Sequence, residues 1–188
     1  MKTFRLAYIL IHMRIIAGRL GGLQFSSPKG NRTHPMSERV RGALFNSLGD
    51  VTNCKVLDAY AGSGAVAFEA VSRGATQVVA VDSDKNAVNA MKKSVEKLKL
   101  NNRCKVTLAN ISSWSDNNRE MTFDLVIIDP PYDKIKLAVI QKLTKHIGDQ
   151  GLFIVSWPGK AEQPHFDDLE IEGIKDYGDT QLIFYRRV

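Results

Sequence analysis

The stretch "KVLDAYAGSGAVAFEAVSRGATQVVAVD", residues 55–82, decides the fold. It begins with an apolar run of strand length and then turns through the glycines of "GSG" at 62–64. A helix-length segment, 64–72, ends before Gly74, and a second apolar run fills 77–82. Strand, helix and strand in this order predict two parallel strands whose connecting helix covers one face of the sheet.

The same alternation continues to the end of the chain. Amphipathic segments of helix length separate apolar runs of strand length, and the last two runs flank Gly178–Asp179, which indicates an antiparallel pair. Apolar strands separated by helices are typical of a sheet covered on both faces. We therefore predict an α/β fold with a seven-stranded, mostly parallel sheet, helices on both faces and an antiparallel last strand. The further strands are expected at 105–110, 123–129, 151–157, 169–178 and 180–187, and the further helices at 84–98 and 134–147.

An N-terminal element precedes this alternation. Residues 14–18 and 23–27 flank Gly21–Gly22 and predict a β-hairpin, and a helix is expected over 36–48 with Ser37 as its N-cap. The chain is accordingly divided into an upstream extension at 1–12, should Met13 be the true start, the hairpin and helix at 13–50, and the main domain at 51–188.

The positive charge of the chain is concentrated near its N-terminus. Residues 1–55 hold nine Lys and Arg against two acidic residues, whereas the remainder holds 17 basic and 18 acidic side chains. A basic segment next to a nearly neutral domain suggests a polyanionic partner, and a nucleic acid fits better than a membrane surface. The alternative is a solvated basic surface without a partner.

The cysteines and the apolar segments indicate the compartment. Cys54 and Cys104 have no metal-ligand spacing and are too few for the disulfide framework of a small secreted protein. No apolar segment has the length of a membrane span, and no His, Cys and Asp cluster has the spacing of a metal site. We expect a cytoplasmic protein that uses neither a metal nor a membrane and is, by default, a monomer.

Polar residues follow several of the predicted strands, at the edge where ligands bind in this class of fold. The loop "GSGAVA" fits the dinucleotide fingerprint, and Asp82 lies 20 residues after Gly62, near the distance of a ribose-binding acid. S-adenosylmethionine also carries a ribose but has no pyrophosphate, so it fits the same residues. Asp58, four residues before Gly62, favours S-adenosylmethionine over a nicotinamide dinucleotide, as do the short chain and the segment "DPPY".

The fourth strand ends in "DPPY", residues 129–132. An exocyclic amine of a nucleobase is a poor nucleophile because its lone pair is delocalised into the ring. The Asp129 carboxylate and the Pro130 carbonyl could each accept a hydrogen bond from this amine and free its lone pair. Pro130 and Pro131 hold the backbone rigid, and Tyr132 offers a face on which an extruded base can stack. The segment therefore predicts methyl transfer to a nucleobase amine, with a simple strand stop as the alternative.

Four segments, in order along the chain, resemble one family. "MRIIAGRLGGLQF", "HPMSERVRGALFNSL", "VLDAYAGSGAVAFEAVSRGA" and "FDLVIIDPPY" resemble the bacterial RsmD family of 16S ribosomal RNA guanine-N2 methyltransferases, from Met13 to nearly the end of the chain. The resemblance implies a Rossmann-like class I methyltransferase fold and S-adenosylmethionine as the cofactor. It also implies 16S rRNA as the partner, within a small-subunit particle.

The resemblance implies roles for individual residues as well. Asp58, Gly62 and Gly64 would shape the cofactor loop, Asp82 would bind the ribose, and Asn110 would lie near the adenine. The full set of cofactor-binding residues would be Asp58, Ala61, Gly62, Ser63, Gly64, Asp82, Ser83, Asn110 and Ile111. The catalytic residues would be Asp129, Pro130, Pro131 and Tyr132. The RNA-binding residues would be Arg14, Arg19, Arg32, Arg39 and Arg41.

Three other functions stay open on the sequence. A DNA adenine-N6 methyltransferase would share the "DPPY" corner, but such an enzyme usually carries a separate target-recognition region. A non-catalytic nucleic-acid-binding protein could have the same fold, although the intact "DPPY" and "AGSGA" segments argue against it. A small dinucleotide-binding protein would bind NAD and not S-adenosylmethionine.

Overall fold

The computed structural model describes residues 12–28 and 36–188 of the chain. The upstream extension, apart from His12, and the candidate RNA-binding residue Arg32 lie outside the described residues. Within the two described ranges, no helix is both long and apolar enough to cross a membrane.

The N-terminal element is a short hairpin followed by a helix. Strands β1 (His12–Arg14) and β2 (Gln24–Ser26) are antiparallel, and Met13 lies opposite Phe25. The sequence predicts a hairpin here, but its first strand, predicted at 14–18, overlaps β1 only at Arg14, and its second, predicted at 23–27, is shorter. Residues 15–23 form a wide loop instead, in which Gly18 and Gly22 adopt φ angles of 81° and 83°.

Helix α1 (Glu38–Leu48) begins and ends where the sequence predicts. The Ser37 hydroxyl accepts a hydrogen bond from the Val40 amide at 3.2 Å, and Gly49 ends the helix with a φ angle of 69°. The buried residues of the helix are Val40, Arg41, Leu44 and Phe45.

A single sheet of seven strands forms the centre of the protein: β3 (Lys55–Ala59), β4 (Gln77–Asp82), β5 (Cys104–Leu108), β6 (Phe123–Ile128), β7 (Ile147–Pro158), β8 (Leu169–Asp176) and β9 (Thr180–Arg187). Their order is β5-β4-β3-β6-β7-β9-β8. Strands β3 to β7 are parallel, and β9 is antiparallel to both of its neighbours. The predicted mostly parallel sheet with an antiparallel last strand is confirmed.

Helices cover both faces of the sheet, as predicted. The core on one face includes residues of α1, α2 (Ala65–Ser72) and α3 (Lys85–Lys97), and the core on the other includes residues of α4 (Ile111–Asn117) and α5 (Leu137–Leu143). Every residue of α2 is buried, because the hairpin also covers this helix and packs Phe25 against Phe68 at a ring distance of 4.9 Å. The N-terminal element and the main domain therefore share one hydrophobic core.

The order of the strands places the two functional segments side by side. Strand β3 lies between β4 and β6, and the chain leaves β3 and β6 toward opposite halves of the sheet. The two strands are parallel with Ala59 opposite Ile128, so their carboxyl ends meet. This is the switch in strand order at which open α/β sheets bind ligands. The glycine loop and the "DPPY" corner are therefore neighbours at one edge of the sheet.

Two helical segments differ from the prediction. Helix α4 is absent from the sequence-based prediction, because "ISSWSDN" is short and polar; its signals are the N-cap Asn110 and the buried Ile111 and Trp114. The single helix expected at 134–147 is broken into α5 and a 3-10 turn, Thr144–His146, and strand β7 begins directly afterwards.

Candidate active site

The glycine loop after β3 is tied to the structure beneath it. Asp58 is 1% exposed, and one of its carboxylate oxygens accepts a hydrogen bond from the Ala67 amide at 3.0 Å. Ala67 lies in the first turn of α2, so Asp58 satisfies one of the amides that a helix N-terminus leaves unpaired. The Ala61 amide donates to the Val81 carbonyl at 3.0 Å and joins the loop to β4. Asp58 therefore shapes the loop from inside the protein.

The glycines of the loop are required by its backbone. Gly62 and Gly64 have φ angles of 53° and 80°, which side chains with a Cβ rarely adopt. A Cβ on Gly64 would also lie 2.9 Å from the Phe68 ring and from Met91. Between the two glycines, the Ser63 hydroxyl is buried and has no hydrogen-bond partner among the described residues. Buried hydroxyls are normally paired, so Ser63 offers a polar atom to a bound ligand.

Asp82, the last residue of β4, holds the other side of the loop. One carboxylate oxygen accepts a hydrogen bond from the Gly62 amide at 2.7 Å, and the other accepts one from the Asp84 amide at 2.7 Å. A carboxylate offers about four acceptor sites, so Asp82 can also receive ribose hydroxyls. The next residue, Ser83, is exposed beside it.

Asn110 lies at the same edge as the N-cap of α4. Its side-chain oxygen accepts hydrogen bonds from the amides of Ser112 and Ser113 at 3.0 and 3.4 Å. Asn110 is exposed, whereas Ile111 is buried in the core under the helix. The side-chain oxygen is already used by the cap, so the amide nitrogen is the part of Asn110 most available to a ligand.

Asp129 and the two prolines follow β6 next to the glycine loop. The Asp129 amide donates to the Ala59 carbonyl at 3.4 Å, because β3 and β6 are neighbours. Burial raises the pKa of Asp129 to about 6, and the nearby Ser156 hydroxyl opposes this shift. Within the part of the chain that the structure describes, no hydrogen bond occupies the Pro130 carbonyl. Pro130 is buried and Pro131 is exposed.

The Tyr132 ring is held by two hydroxyl groups that the sequence analysis missed. The Tyr132 hydroxyl lies 2.8 Å from Ser156 Oγ on β7 and donates to Thr180 Oγ1 on β9 at 3.1 Å. Tyr132 is 38% exposed, so part of its ring is accessible. Ser156 interrupts the apolar run "LFIVSW", and that interruption is a sequence signal for a polar role. Thr180 gives no comparable signal.

Three carboxyl groups lie close together at this edge. Burial raises the pKa of Asp58 well above its ordinary value, the Ala67 amide opposes this, and the nearby carboxylates of Asp129 and Asp82 raise the pKa further. A pyrophosphate would meet these acids, together with a helix N-terminus that Asp58 already caps. The sulfonium and ammonium groups of S-adenosylmethionine are cations, which such a site favours. The residues present therefore fit S-adenosylmethionine better than a dinucleotide.

The candidate RNA-binding arginines that the structure describes differ in their surroundings. Arg14 is exposed, but its guanidinium donates to both carboxylate oxygens of Glu38 at 2.9–3.1 Å. Arg39 is exposed on α1. Arg19 lies on the hairpin loop, where its amide donates to the Ser72 carbonyl at 2.8 Å, near the end of α2 that is remote from the glycine loop.

The prediction that Arg41 contacts RNA is wrong. Its side chain is fully buried, and its guanidinium donates to the carbonyls of Arg14 and Met36 at 2.8 and 3.4 Å. Its Nε lies 3.7 Å from the Glu69 carboxylate. Burial lowers the pKa of Arg41, while Glu69 and Glu38 act in the opposite direction. Arg41 therefore joins α1 to the hairpin and α2, out of reach of any RNA.

A tight glycine loop and a "DPPY" corner, side by side at the switch point of this sheet, define a Rossmann-like class I methyltransferase. Within that class, the chain belongs to the family described as Conserved hypothetical protein 95, which matches residues 13–186. This is the RsmD family that the sequence resembles.

Relatives and solved structures are consistent with this assignment. The YlbH protein of Bacillus subtilis, provisionally named an rRNA methyltransferase, is 28% identical over 182 residues, which cover 93% of this chain and 99% of YlbH. Ribosomal RNA small subunit methyltransferase D of Haemophilus influenzae is 32% identical over 123 residues, or 64% of each chain, so the match spans slightly less than two thirds of that relative. The solved structure of yhhF from Escherichia coli, provisionally named a methyltransferase, has a TM-score of 0.83 and 28% identity over 94% of this chain and 98% of that one.

Proposed function

We propose that this protein is an S-adenosylmethionine-dependent methyltransferase that modifies the exocyclic N2 amine of a guanine in 16S ribosomal RNA. The observation that carries the proposal is the meeting of an acidic glycine loop, formed with Asp58 and Asp82, and the Asp129–Tyr132 corner at one point of the sheet. The names of the family's relatives, which include rRNA small subunit methyltransferase D, support ribosomal RNA as the substrate.

The Asp129 corner acts on the acceptor amine. The Asp129 carboxylate accepts a hydrogen bond from one N–H of the amine, and the Pro130 carbonyl accepts one from the other. Together they direct the nitrogen lone pair out of the plane of the ring. When bound, S-adenosylmethionine supplies a methyl group on a positively charged sulfur. The amine gives up one proton after it gains the methyl group, and Asp129, with its pKa raised to about 6, is suited to receive that proton.

Tyr132 positions the base. An extruded base stacks on its ring, and base–aromatic stacking contributes about 1–3 kcal/mol. The hydrogen bonds from Tyr132 to Ser156 and Thr180 fix the plane of the ring relative to β7 and β9. We therefore propose Ser156 and Thr180 as positioning residues, since they act on the base through Tyr132.

The substrate form and the compartment belong to the same proposal. Unstacking a base costs a few kcal/mol, so a small-subunit particle that already exposes the guanine is favoured over free RNA. Residues 13–50 would contact the RNA, and residues 51–188 would carry out methyl transfer. The protein would act in the cytoplasm as a monomer.

Labelled methyl transfer tests the proposal directly. Small-subunit particles from cells that lack the modification are incubated with the protein and labelled S-adenosylmethionine, and the RNA is digested to nucleosides. N2-methylguanosine is the expected product, whereas N6-methyladenosine would assign the site to adenine. Calorimetry should detect binding of S-adenosylmethionine and none of NAD, and the opposite result would overturn the methyltransferase assignment.

The rate of methyl transfer should depend on the ionisation of Asp129. The ionised carboxylate is the stronger hydrogen-bond acceptor and the form that can take up a proton, so single-turnover rates should rise with pH through a midpoint near 6 and level off above it. The Ser156 hydroxyl stabilises the ionised form, so Ser156→Ala should move the midpoint to higher pH. Ser94→Ala removes an equally buried hydroxyl far from the site and should leave the midpoint unchanged. If the midpoint is the same in the Ser156 variant and in the unmodified protein, Ser156 does not affect the ionisation of Asp129.

A further inference from the structure

A second group of arginines surrounds a cavity that the proposed catalysis does not use. The cavity has a volume of about 550 Å³, and we call it the arginine pocket. Its lining includes Arg19, Arg73, Arg103, Thr52, Asn53 and Thr76. These residues come from the hairpin loop, the C-terminal end of α2 and the segments that precede β3, β4 and β5.

The arginine pocket lies at the amino-terminal edge of the sheet. The Asn53 amide donates to the Gly74 carbonyl at 3.1 Å, and the Val78 amide donates to the Arg103 carbonyl at 2.7 Å, so the segments that precede three strands meet here. Strand β3 has five residues and spans about 17 Å. The pocket is thus separated from the glycine loop by the length of a strand.

The position of Arg19 in this pocket is fixed by close packing. The Ser72 carbonyl accepts a hydrogen bond from the Arg19 amide at 2.8 Å, and the Ser72 hydroxyl accepts one from the Leu20 amide at 2.9 Å. A Cβ on Gly18 would lie 2.1 Å from the Ser72 carbonyl oxygen. The hairpin loop is therefore clamped onto the end of α2, and Arg19 has a defined place on the pocket wall.

The charge of the pocket is only partly balanced. Arg73 bonds to Glu69 at 2.8 Å and also complements the negative end of the α2 dipole. Arg19 and Arg103 are exposed, and in the described part of the chain neither has a carboxylate oxygen within 4.0 Å. Residues 1–11 and 29–35 contain no Asp or Glu. The nearest acid along the lining segments, Asp50, accepts a hydrogen bond from the Thr52 amide at 2.9 Å.

We propose that the arginine pocket binds a phosphodiester group of the substrate RNA, so that the RNA contacts both edges of the sheet. The planar guanidinium group matches the geometry of a phosphate and can donate two parallel hydrogen bonds to it. The inference rests on the proposed function, because it takes the RNA of that reaction as the ligand.

The test compares two double variants of the full chain. Arg19→Ala/Arg103→Ala removes the unpaired cations of the pocket, and Arg119→Ala/Arg186→Ala removes the same charge from exposed positions outside it. Binding to small-subunit particles is measured across a range of salt concentrations. The pocket variant should bind more weakly, with a salt slope reduced by about 0.7–0.9, the contribution of one phosphate contact. The control variant should change the slope much less, and an equal change in both would overturn the proposal.

A free nucleotide is the other source of phosphate, and ADP serves as its probe. Calorimetry should show no ADP binding; ADP binding that the pocket variant loses would assign the pocket to a free nucleotide and overturn the RNA contact.

The outcome is separable from that of the proposed function. If the protein transfers methyl groups but the pocket variant has an unchanged salt slope, only the proposed pocket contact is refuted. If the pocket variant has a reduced slope but the protein transfers no methyl groups, only the proposed catalytic function is refuted.

Discussion

Asp129→Asn is expected to lower the rate of methyl transfer by about 10²- to 10⁴-fold, the range over which a positioned acid–base group contributes to catalysis. The asparagine keeps the size of the side chain and one acceptor oxygen. It loses the negative charge, and its NH₂ group would oppose the N–H of the substrate amine. The lost interactions stabilise the reacting amine rather than the bound cofactor, so the variant should still bind S-adenosylmethionine. Single-turnover methyl transfer and calorimetry measure the two effects separately.

Asp133→Asn is the matched control for this prediction. Asp133 lies four residues further on, in the exposed 3-10 turn Tyr132–Lys134, and the substitution removes the same charge close to the site. It should leave the rate nearly unchanged. The dependence of rate on pH with a midpoint near 6 should also disappear in the Asp129 variant and persist in the control. An Asp129→Asn variant with the activity of the control would exclude Asp129 from the chemistry.

Local sequence features were enough to predict which segments meet at the candidate site. The glycines at 62 and 64 and the prolines at 130 and 131 come shortly after apolar strands, and Asp58 and Asp82 lie at the last or next-to-last position of theirs. Parallel strands bring their carboxyl ends to one edge, so residues that are distant in the chain could be placed together from the pattern alone. Helix caps such as Ser37 and Gly49 were equally local and equally predictable.

Contacts that depend on packing between elements were not predictable in this way. Ser156 reaches Tyr132 only because β7 lies beside β6 in a particular register. Arg41 was assigned to RNA from the family resemblance, although it lies four residues before Phe45, on the apolar face of α1. That position was a usable signal, because a charged residue on a buried helix face requires a partner inside the protein. The identity of the partner, Glu69, depends on how α1 and α2 cross.

Glu69→Ala is expected to reduce the free energy of unfolding by about 3–5 kcal/mol, the range found when one member of a buried ion pair is removed. The Glu69 carboxylate is fully buried and accepts hydrogen bonds from the Ile16 and Ala17 amides at 2.7 and 3.1 Å. It also bonds to Arg73 at 2.8 Å and lies 3.7 Å from Arg41. The alanine variant would leave the fully buried Arg41 guanidinium without its counter-ion and two backbone amides without their acceptor.

The exposed pair between Arg14 and Glu38 provides the control, because it has good geometry but lies in water. Its side chains are 64% and 43% exposed, so Glu38→Ala should cost about 1 kcal/mol or less. Urea unfolding of both variants measures the difference, and hydrogen exchange at the Ile16 and Ala17 amides should accelerate only in the Glu69 variant. Equal losses of stability would mean that the hairpin is held by its apolar contacts, such as Phe25 on Phe68, and not by Glu69. A larger loss for Glu69→Ala would instead show that one buried carboxylate joins the hairpin, α1 and α2, and so connects the proposed RNA-binding element to the helix that follows the glycine loop.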